Sequence, residues 1–397
     1  LRIALISEHA SPLAAVGGVD AGGQNVHVAA LAAALAERGH EVTVHTRRTA
    51  ADQPDRVSAA PGLTVEHVSA GPPVALPKDE LLPHMTAFGA HLARQWAARP
   101  PDVVHAHFWM SGLAALAAAP DLGIPVVQTF HALGAVKRRW QGAADTSPPG
   151  RVAAEAGLGR RVHAVVATCR DEVTELLRMG IARERIAVVP CGVDLDLFQP
   201  DGPMAPRGPR PRVLTIGRMV PRKGVDTVVR ALRRLPDAEL LIAGGTPEED
   251  EAVRLARMAA EYGLSDRVRL LGSVGRSDVP ALMRSADVLV TVPWYEPFGM
   301  VPVEAMACGV PVIASAVGGH LDTVAGCGVL VPPRRPLALA RALHDVLAHP
   351  ELRASLATAG ERRARSRYGW PKVAARVEAV YLDVLAGRRA RIAMAGG

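Results

Sequence analysis

Lysine is scarce in this chain: Lys78, Lys137, Lys223 and Lys372 stand against 42 arginines in 397 residues. A compact ammonium and a planar guanidinium are not interchangeable where geometry matters, so each of the four lysines is informative. Cysteine is equally sparse. Cys169, Cys191, Cys308 and Cys327 form neither a Cys-x-x-Cys pair nor a metal-ligand spacing, which excludes a disulfide scaffold and a zinc ribbon and predicts buried free thiols. Only 14 residues are aromatic, and no basic stretch is interleaved with them as a base-stacking platform would require. Long apolar runs are missing too. The run 28–36 ends at Glu37 after nine residues, far short of the about 20 that span a bilayer. No leader-like segment precedes the first strand-like run, so a cytoplasmic protein is expected.

The net charge of +7 and a pI near 9.7 raise the question of an acidic polymer as partner. Most of that charge is local. Residues 361–391 carry nine Arg and Lys against three acids, leaving the rest of the chain close to neutral. Nucleic acid is therefore not an expected partner, while the basic end leaves peripheral membrane contact as a rival reading.

An apolar content of 49% with 21% charged residues describes a folded globular chain, and the length suggests two domains. Two places open with a short apolar run, a glycine turn and a helical pattern, the order of parallel α/β units. The first is 3–6 followed by the helical run 26–38; the second is 213–216 followed by 225–235. Further strands are expected at 41–46, 103–105, 126–129, 164–167 and 186–189 in the first half. In the second they are expected at 239–243, 268–271, 288–291, 312–314 and 328–331. Between the halves, 199–211 is proline-rich and almost without apolar residues, as in a linker. The expected fold class is α/β, two doubly wound Rossmann-like domains facing across a cleft: 1–199, linker 200–211, 212–365, and a C-terminal segment 366–397. Ligands in such sheets sit beyond the carboxyl ends of the strands.

Two segments carry recognisable chemistry. Residues 217–224, Gly-Arg-Met-Val-Pro-Arg-Lys-Gly, lie between a strand and a helix, where backbone N–H groups and two cations suit a diphosphate. Residues 294–311 place Glu296 in a loop and Glu304 in the apolar helical run that follows, with Phe298-Gly299-Met300 at the helix start. A carboxylate within such a run is costly to bury without a partner. Both are therefore candidates for gripping separate parts of one extended ligand.

The Gly-Arg-x4-Lys-Gly turn, the Glu-x7-Glu of residues 296–304 and the later Ala316-Val317-Gly318-Gly319 resemble glycosyltransferase family 4, retaining enzymes of the GT-B fold. The first half agrees, with Asp20-Ala21-Gly22-Gly23-Gln24-Asn25, His105-Ala106-His107-Phe108-Trp109 and Thr129-Phe130-His131. Together they are similar to the branch holding sucrose-phosphate synthase and the mycothiol-pathway N-acetylglucosaminyltransferase. The resemblance implies Arg218 and Lys223 on the diphosphate of a nucleotide-sugar donor, Glu304 on its ribose and Glu296 near its sugar. It further implies Phe298–Met300 backbone on sugar and phosphate, Gly22 and Gly23 close to the diphosphate, Arg269 beside the base, and His131 facing the donor sugar.

Double displacement would need a carboxylate nucleophile beneath the anomeric carbon, and the first-half motifs supply none. Family precedent implies front-face substitution, the leaving diphosphate helping to deprotonate the acceptor. No cofactor and no metal are expected, since arginine and lysine supply the charge. Asp20, Asn25, Lys78, Phe108 and Arg151 occupy places resembling the inositol-phosphate site of the mycothiol enzymes. Two departures, Phe108 for Tyr and Ala132 for Thr, each remove a hydroxyl able to hold a phosphate oxygen. They count against inositol phosphate, while Lys78 and Arg151 leave an anionic acceptor open; a small polar acceptor is expected. UDP is the favoured donor nucleotide, with GDP and ADP open. The rivals are a nucleotide-sugar epimerase of the same fold, a non-catalytic binder and a lipid-acceptor transferase.

Overall fold

The computed structural model describes residues 1–14 and 22–395. The chain divides into two compact units, one formed by residues 1–190 with 370–397 and the other by 191–369. Each is built on one sheet.

The sheet of the first unit contains β1 (Arg2–Ile6), β2 (Glu41–Arg47), β3 (Arg56–Ala60), β4 (Leu63–Val68), β5 (Val103–His107), β6 (Val126–Thr129), β7 (Ala164–Ala167) and β8 (Ile186–Val188). Their order is β3-β4-β2-β1-β5-β6-β7-β8. All neighbours pair in parallel except β3 and β4. The alternation in β1 shows how the core is made. Ile3 and Leu5 face a cluster closed by helix Gly23–Glu37 and the last helix, Trp370–Ala395, through Val28, Leu31, Trp370, Val377 and Tyr381. Ala4 and Ile6 face the opposite cluster under helices Met85–Ala98 and Trp109–Ala118. Strands buried on both faces read as continuous apolar runs, which is why they are visible in sequence.

The β3–β4 hairpin was not anticipated. Its first strand is mostly exposed, its second is buried but interrupted by Thr64, Glu66 and His67, and the turn rests on Pro61-Gly62, where Gly62 takes a φ of 76°. An exposed edge strand has too little apolar alternation to announce itself.

The second unit holds β9 (Arg212–Ile216), β10 (Glu239–Ala243), β11 (Val268–Gly272), β12 (Val288–Thr291), β13 (Val312–Ser315) and β14 (Val329–Val331). Their order is β11-β10-β9-β12-β13-β14, and every pairing is parallel. This is the doubly wound order with the switch point between β9 and β12. Leu214, Leu289 and Val312 face Val303, Met306 and Phe198, whereas Val213, Val288 and Ile313 face the opposite cluster. All four cysteines are buried free thiols.

The proline-rich segment 199–211 lies along this unit. Arg284 donates to the carbonyls of Gln199 and Pro203, and Arg207 pairs with Asp287 at 2.7 Å. The last helix belongs to the first unit, where Glu378 meets Arg38 and His40.

Candidate active site

In the second unit, the two chains leaving the switch-point strands meet. The turn after β9 ends at Gly224 (φ 70°), where a Cβ would lie 2.1 Å from the carbonyl oxygen of Val292 in the loop after β12. Trp294 donates its N–H to the carbonyl of Arg222 at 2.8 Å, tying the loops together. Across this junction Lys223 Nζ donates to Glu296 Oε2 at 2.7 Å. Burial alone would neutralise both groups. Burial does push the Lys223 ammonium below its usual range, although Glu296 counteracts it. For Glu296, burial works upward but is overridden by Lys223, His320 and Arg222, which hold the carboxyl at about 2. Glu296 is therefore ionised at neutral pH, and its carboxylate opposes the loss of the Lys223 proton.

The loop of Glu296 is packed against the 318–319 glycines. A Cβ on Gly318 would fall 2.0 Å from the Glu296 carbonyl oxygen, and one on Gly319 would fall 2.3 Å from that of Phe298. That contact is the physical need behind the glycine pair. Gly299, with φ 92°, opens helix Met300–Ala307. Glu304 is buried in that helix, and its Oε1 accepts from Arg276 at 3.1 Å. Burial raises its pKa, with Arg276 opposing. Arg218 and Arg269 are exposed, the latter on β11. Phe298 is buried and edge-on to Tyr368.

In the first unit, the ends of β5 and β6 gather histidines. His107 Nδ1 and His131 Nε2 share a hydrogen bond at 2.9 Å. His27, from helix Gly23–Glu37, stands edge-on to His131 with centroids 4.9 Å apart. His105 lies against His107 at 4.2 Å and is itself fixed by Tyr381 and Thr129. Burial lowers all four pKa values, to about 4 for His27 and about 3 for His105, so the rings are neutral at pH 7. Backbone strain marks the same place: Phe108 and His131 have φ of 80° and 59°, rare for residues with a side chain.

Phe108 carries two cations on its ring, Lys78 Nζ at 5.3 Å from the centroid and the Arg151 guanidinium at 4.9 Å. Arg151 is almost fully buried. It donates to Glu155 at 2.7 Å, Ser147 at 3.2 Å and the Ala132 carbonyl at 2.6 Å. Glu155 also accepts the Gly134 N–H. Asn25 is buried and turned to local work: its Oδ1 accepts from Gly22 N–H and its Nδ2 donates to the Ser11 carbonyl. Gly22 and Gly23 begin that helix. Asp20 lies outside the described residues.

Residues 21–197 match Glycosyltransferase Family 4, and 204–363 match Glycosyl transferases group 1. A D-inositol 3-phosphate glycosyltransferase of Xylanimonas cellulosilytica is 41% identical across 98% of both chains. The chain belongs to glycosyltransferase family 4. Another protein of that name, from Acidothermus cellulolyticus, is 37% identical over 98% of this chain and 91% of its own. Sucrose-phosphate synthase from Thermosynechococcus elongatus superposes with a TM-score of 0.89 at 32% identity, covering 97% of this chain and 99% of its own. The fold is GT-B, and the chain is a glycosyltransferase.

Within this glycosyltransferase the second unit brings Lys223, Glu296 and the 298–300 backbone together, with Glu304 on the helix that follows. The first unit brings His131, Phe108, Lys78 and Arg151 together. Sequence reasoning missed Arg276, His320, His107 and His27. Arg276 had one signal, the demand of Glu304 for a partner; His107 had the His-x-His spacing, which puts both rings on one face of a strand. The sequence also contains Asp194-Leu195-Asp196, whose spacing resembles a metal site. Asp194 Oδ1 instead accepts the N–H groups of Asp196 and Leu197 in its own turn. Among the described residues, no helix is long and apolar enough to cross a membrane.

Proposed function

We propose that this glycosyltransferase moves a hexose-type sugar, with retention, from a nucleoside-diphosphate sugar to a small polyol phosphate. The observation that carries the donor half is the hydrogen-bonded Lys223–Glu296 pair at the carboxyl ends of β9 and β12. An ammonium held in a partly desolvated place acts more strongly on developing phosphate charge than one in water. Lys223, with Arg218, binds the diphosphate and takes up its charge as the glycosidic bond breaks. Glu296 stays ionised and accepts hydrogen bonds from the sugar hydroxyls. Glu304, oriented by Arg276, accepts from the ribose hydroxyls, and the N–H groups at 298–300 meet sugar and phosphate oxygens. His131 contacts the donor sugar. Arg269 lies beside the base, for which UDP is the first candidate.

No side chain is given the role of nucleophile or base. Leaving-group and incoming oxygen lie on one face of the sugar, and the departing phosphate accepts the acceptor's proton. Catalysis then consists of positioning and charge stabilisation.

The acceptor half is assigned to the first unit, where Lys78 and Arg151 flank Phe108. Two cations around one apolar ring suit an anionic group attached to a compact body. Relatives named for D-inositol 3-phosphate support a phosphorylated polyol. The absent hydroxyls at Phe108 and Ala132 predict a weaker hold on inositol phosphate itself than a Tyr and a Thr would give. A coupled assay of UDP-, GDP- and ADP-sugars against inositol 3-phosphate, other polyol phosphates and unphosphorylated polyols tests this reading. Transfer only to phosphorylated acceptors is expected. Donor turnover without any acceptor would favour the epimerase.

A further inference from the structure

His27, His107 and His131 each present a ring nitrogen, and the three nitrogens all lie within 4.8 Å of one another. Two are reached from strand ends and one from a helix, so the cluster is fixed by three separate elements. His27 and His107 are buried, at 5% and 0% exposure, and His131 is partly exposed, which leaves a way in from solvent. The two buried rings are also incompletely satisfied. His27 Nδ1 and His107 Nε2 have no hydrogen-bond partner, a state that costs free energy in a buried polar atom. Neither the proposed donor contacts nor the proposed acceptor contacts use these two residues.

We propose that His27, His107 and His131 form a binding site for one divalent transition-metal ion of the zinc class. Three imidazoles with no thiolate select Zn²⁺, Co²⁺, Ni²⁺ or Cu²⁺ over Mg²⁺ or Ca²⁺, which require oxygen ligands. Nitrogens about 2.0–2.1 Å from a tetrahedral ion leave its fourth position for water. Ring movements within the 4.8 Å spread gather the three nitrogens around it. Because burial keeps the rings neutral, their lone pairs are available at pH 7. His105, bonded to Tyr381 and Thr129, buttresses the His107 ring. The ion occupies His131, and so, resting on the proposed function above, it competes with the donor sugar and suppresses transfer.

The test uses the full chain, stripped with a chelator and titrated with Zn²⁺ and with Co²⁺ by calorimetry. One ion per chain is expected, with the visible absorption of four-coordinate Co²⁺. His27→Phe keeps a flat ring but has no lone pair; it should weaken binding by more than about 100-fold, since even groups behind a metal's ligands are worth about 10- to 100-fold. Unchanged affinity in that variant, or no binding in the unsubstituted chain, overturns the site. Should the variant fail to fold, X-ray absorption of the Zn²⁺-loaded unsubstituted chain decides between scattering from three imidazoles and an oxygen-only shell, the latter contradicting the proposal. These readouts need no turnover, so an inactive protein would count against the proposed function and leave the metal result standing. In an active one, Zn²⁺ should suppress transfer by the unsubstituted chain and spare His27→Phe.

Discussion

The two units place contrasting electrostatics beyond the carboxyl ends of similar sheets. Beyond the carboxyl ends of β9 and β12, pairing opposes burial: Lys223 helps hold the Glu296 carboxyl at about 2, and Arg276 works against the rise that burial imposes on Glu304. Beyond β5 and β6, burial is uncountered, and His27, His105, His107 and His131 remain neutral. One fold thus supports an ion pair in one unit and a cluster of neutral rings in the other, and the difference is whether a counter-ion stands within hydrogen-bond reach. The charged site suits a substrate whose charge grows during reaction; the neutral one suits hydrogen bonding to hydroxyls and lone-pair donation.

The contrast can be broken by acid, which should produce the largest effect. A histidine whose folded pKa lies below its unfolded value of 6.5 binds fewer protons when folded. Its stabilising preference is intact above pH 6.5 and is lost as pH falls toward the folded value. For His27, lowered to about 4, that loss amounts to about 3 kcal/mol below pH 4, and its three neighbours add in the same direction. Hydrogen exchange corrected for intrinsic rates should show the first unit opening between pH 6.5 and 4. Equal opening of both units would remove the distinction.

Next in size is loss of the ammonium. Lys223→Ala should lower turnover by roughly 10²–10³ with the fold retained, whereas Lys372→Ala, exposed on the last helix, should leave turnover near normal. Glu304→Gln should weaken nucleotide binding by about 1–3 kcal/mol in calorimetry. The smallest effect belongs to the acceptor side. Phe108→Tyr restores one hydroxyl near Lys78 and Arg151 and should lower KM for a polyol phosphate by a few-fold, about 1 kcal/mol, with little change in kcat. An unchanged KM would detach Phe108 from the acceptor.

Much of this was legible in sequence where physical demand is local. Parallel strands buried on both faces announce themselves as apolar runs, and 12 of the 14 strands were readable that way; the exposed edge strand β3 and the buried β4, interrupted by Thr64, Glu66 and His67, were not. Glycines at 224 and 318–319 were visible as a pattern, and their reason, a carbonyl oxygen 2.0–2.3 Å from a would-be Cβ, emerges only in three dimensions. The partners were hidden. Arg276 lies 28 residues from Glu304, and Lys223 lies 73 from Glu296. Asn25, expected at the acceptor, also makes hydrogen bonds at the start of its helix, which spacing alone does not reveal.

The central claim is that the charge of the departing nucleoside diphosphate is taken up by Lys223 in the second unit. Its most direct measurement is the single-turnover rate of sugar transfer by Lys223→Ala at saturating donor and acceptor, taken beside the affinity for the nucleoside diphosphate. The account predicts a rate lower by roughly 10²–10³; a rate within a few-fold of the unsubstituted enzyme would contradict it.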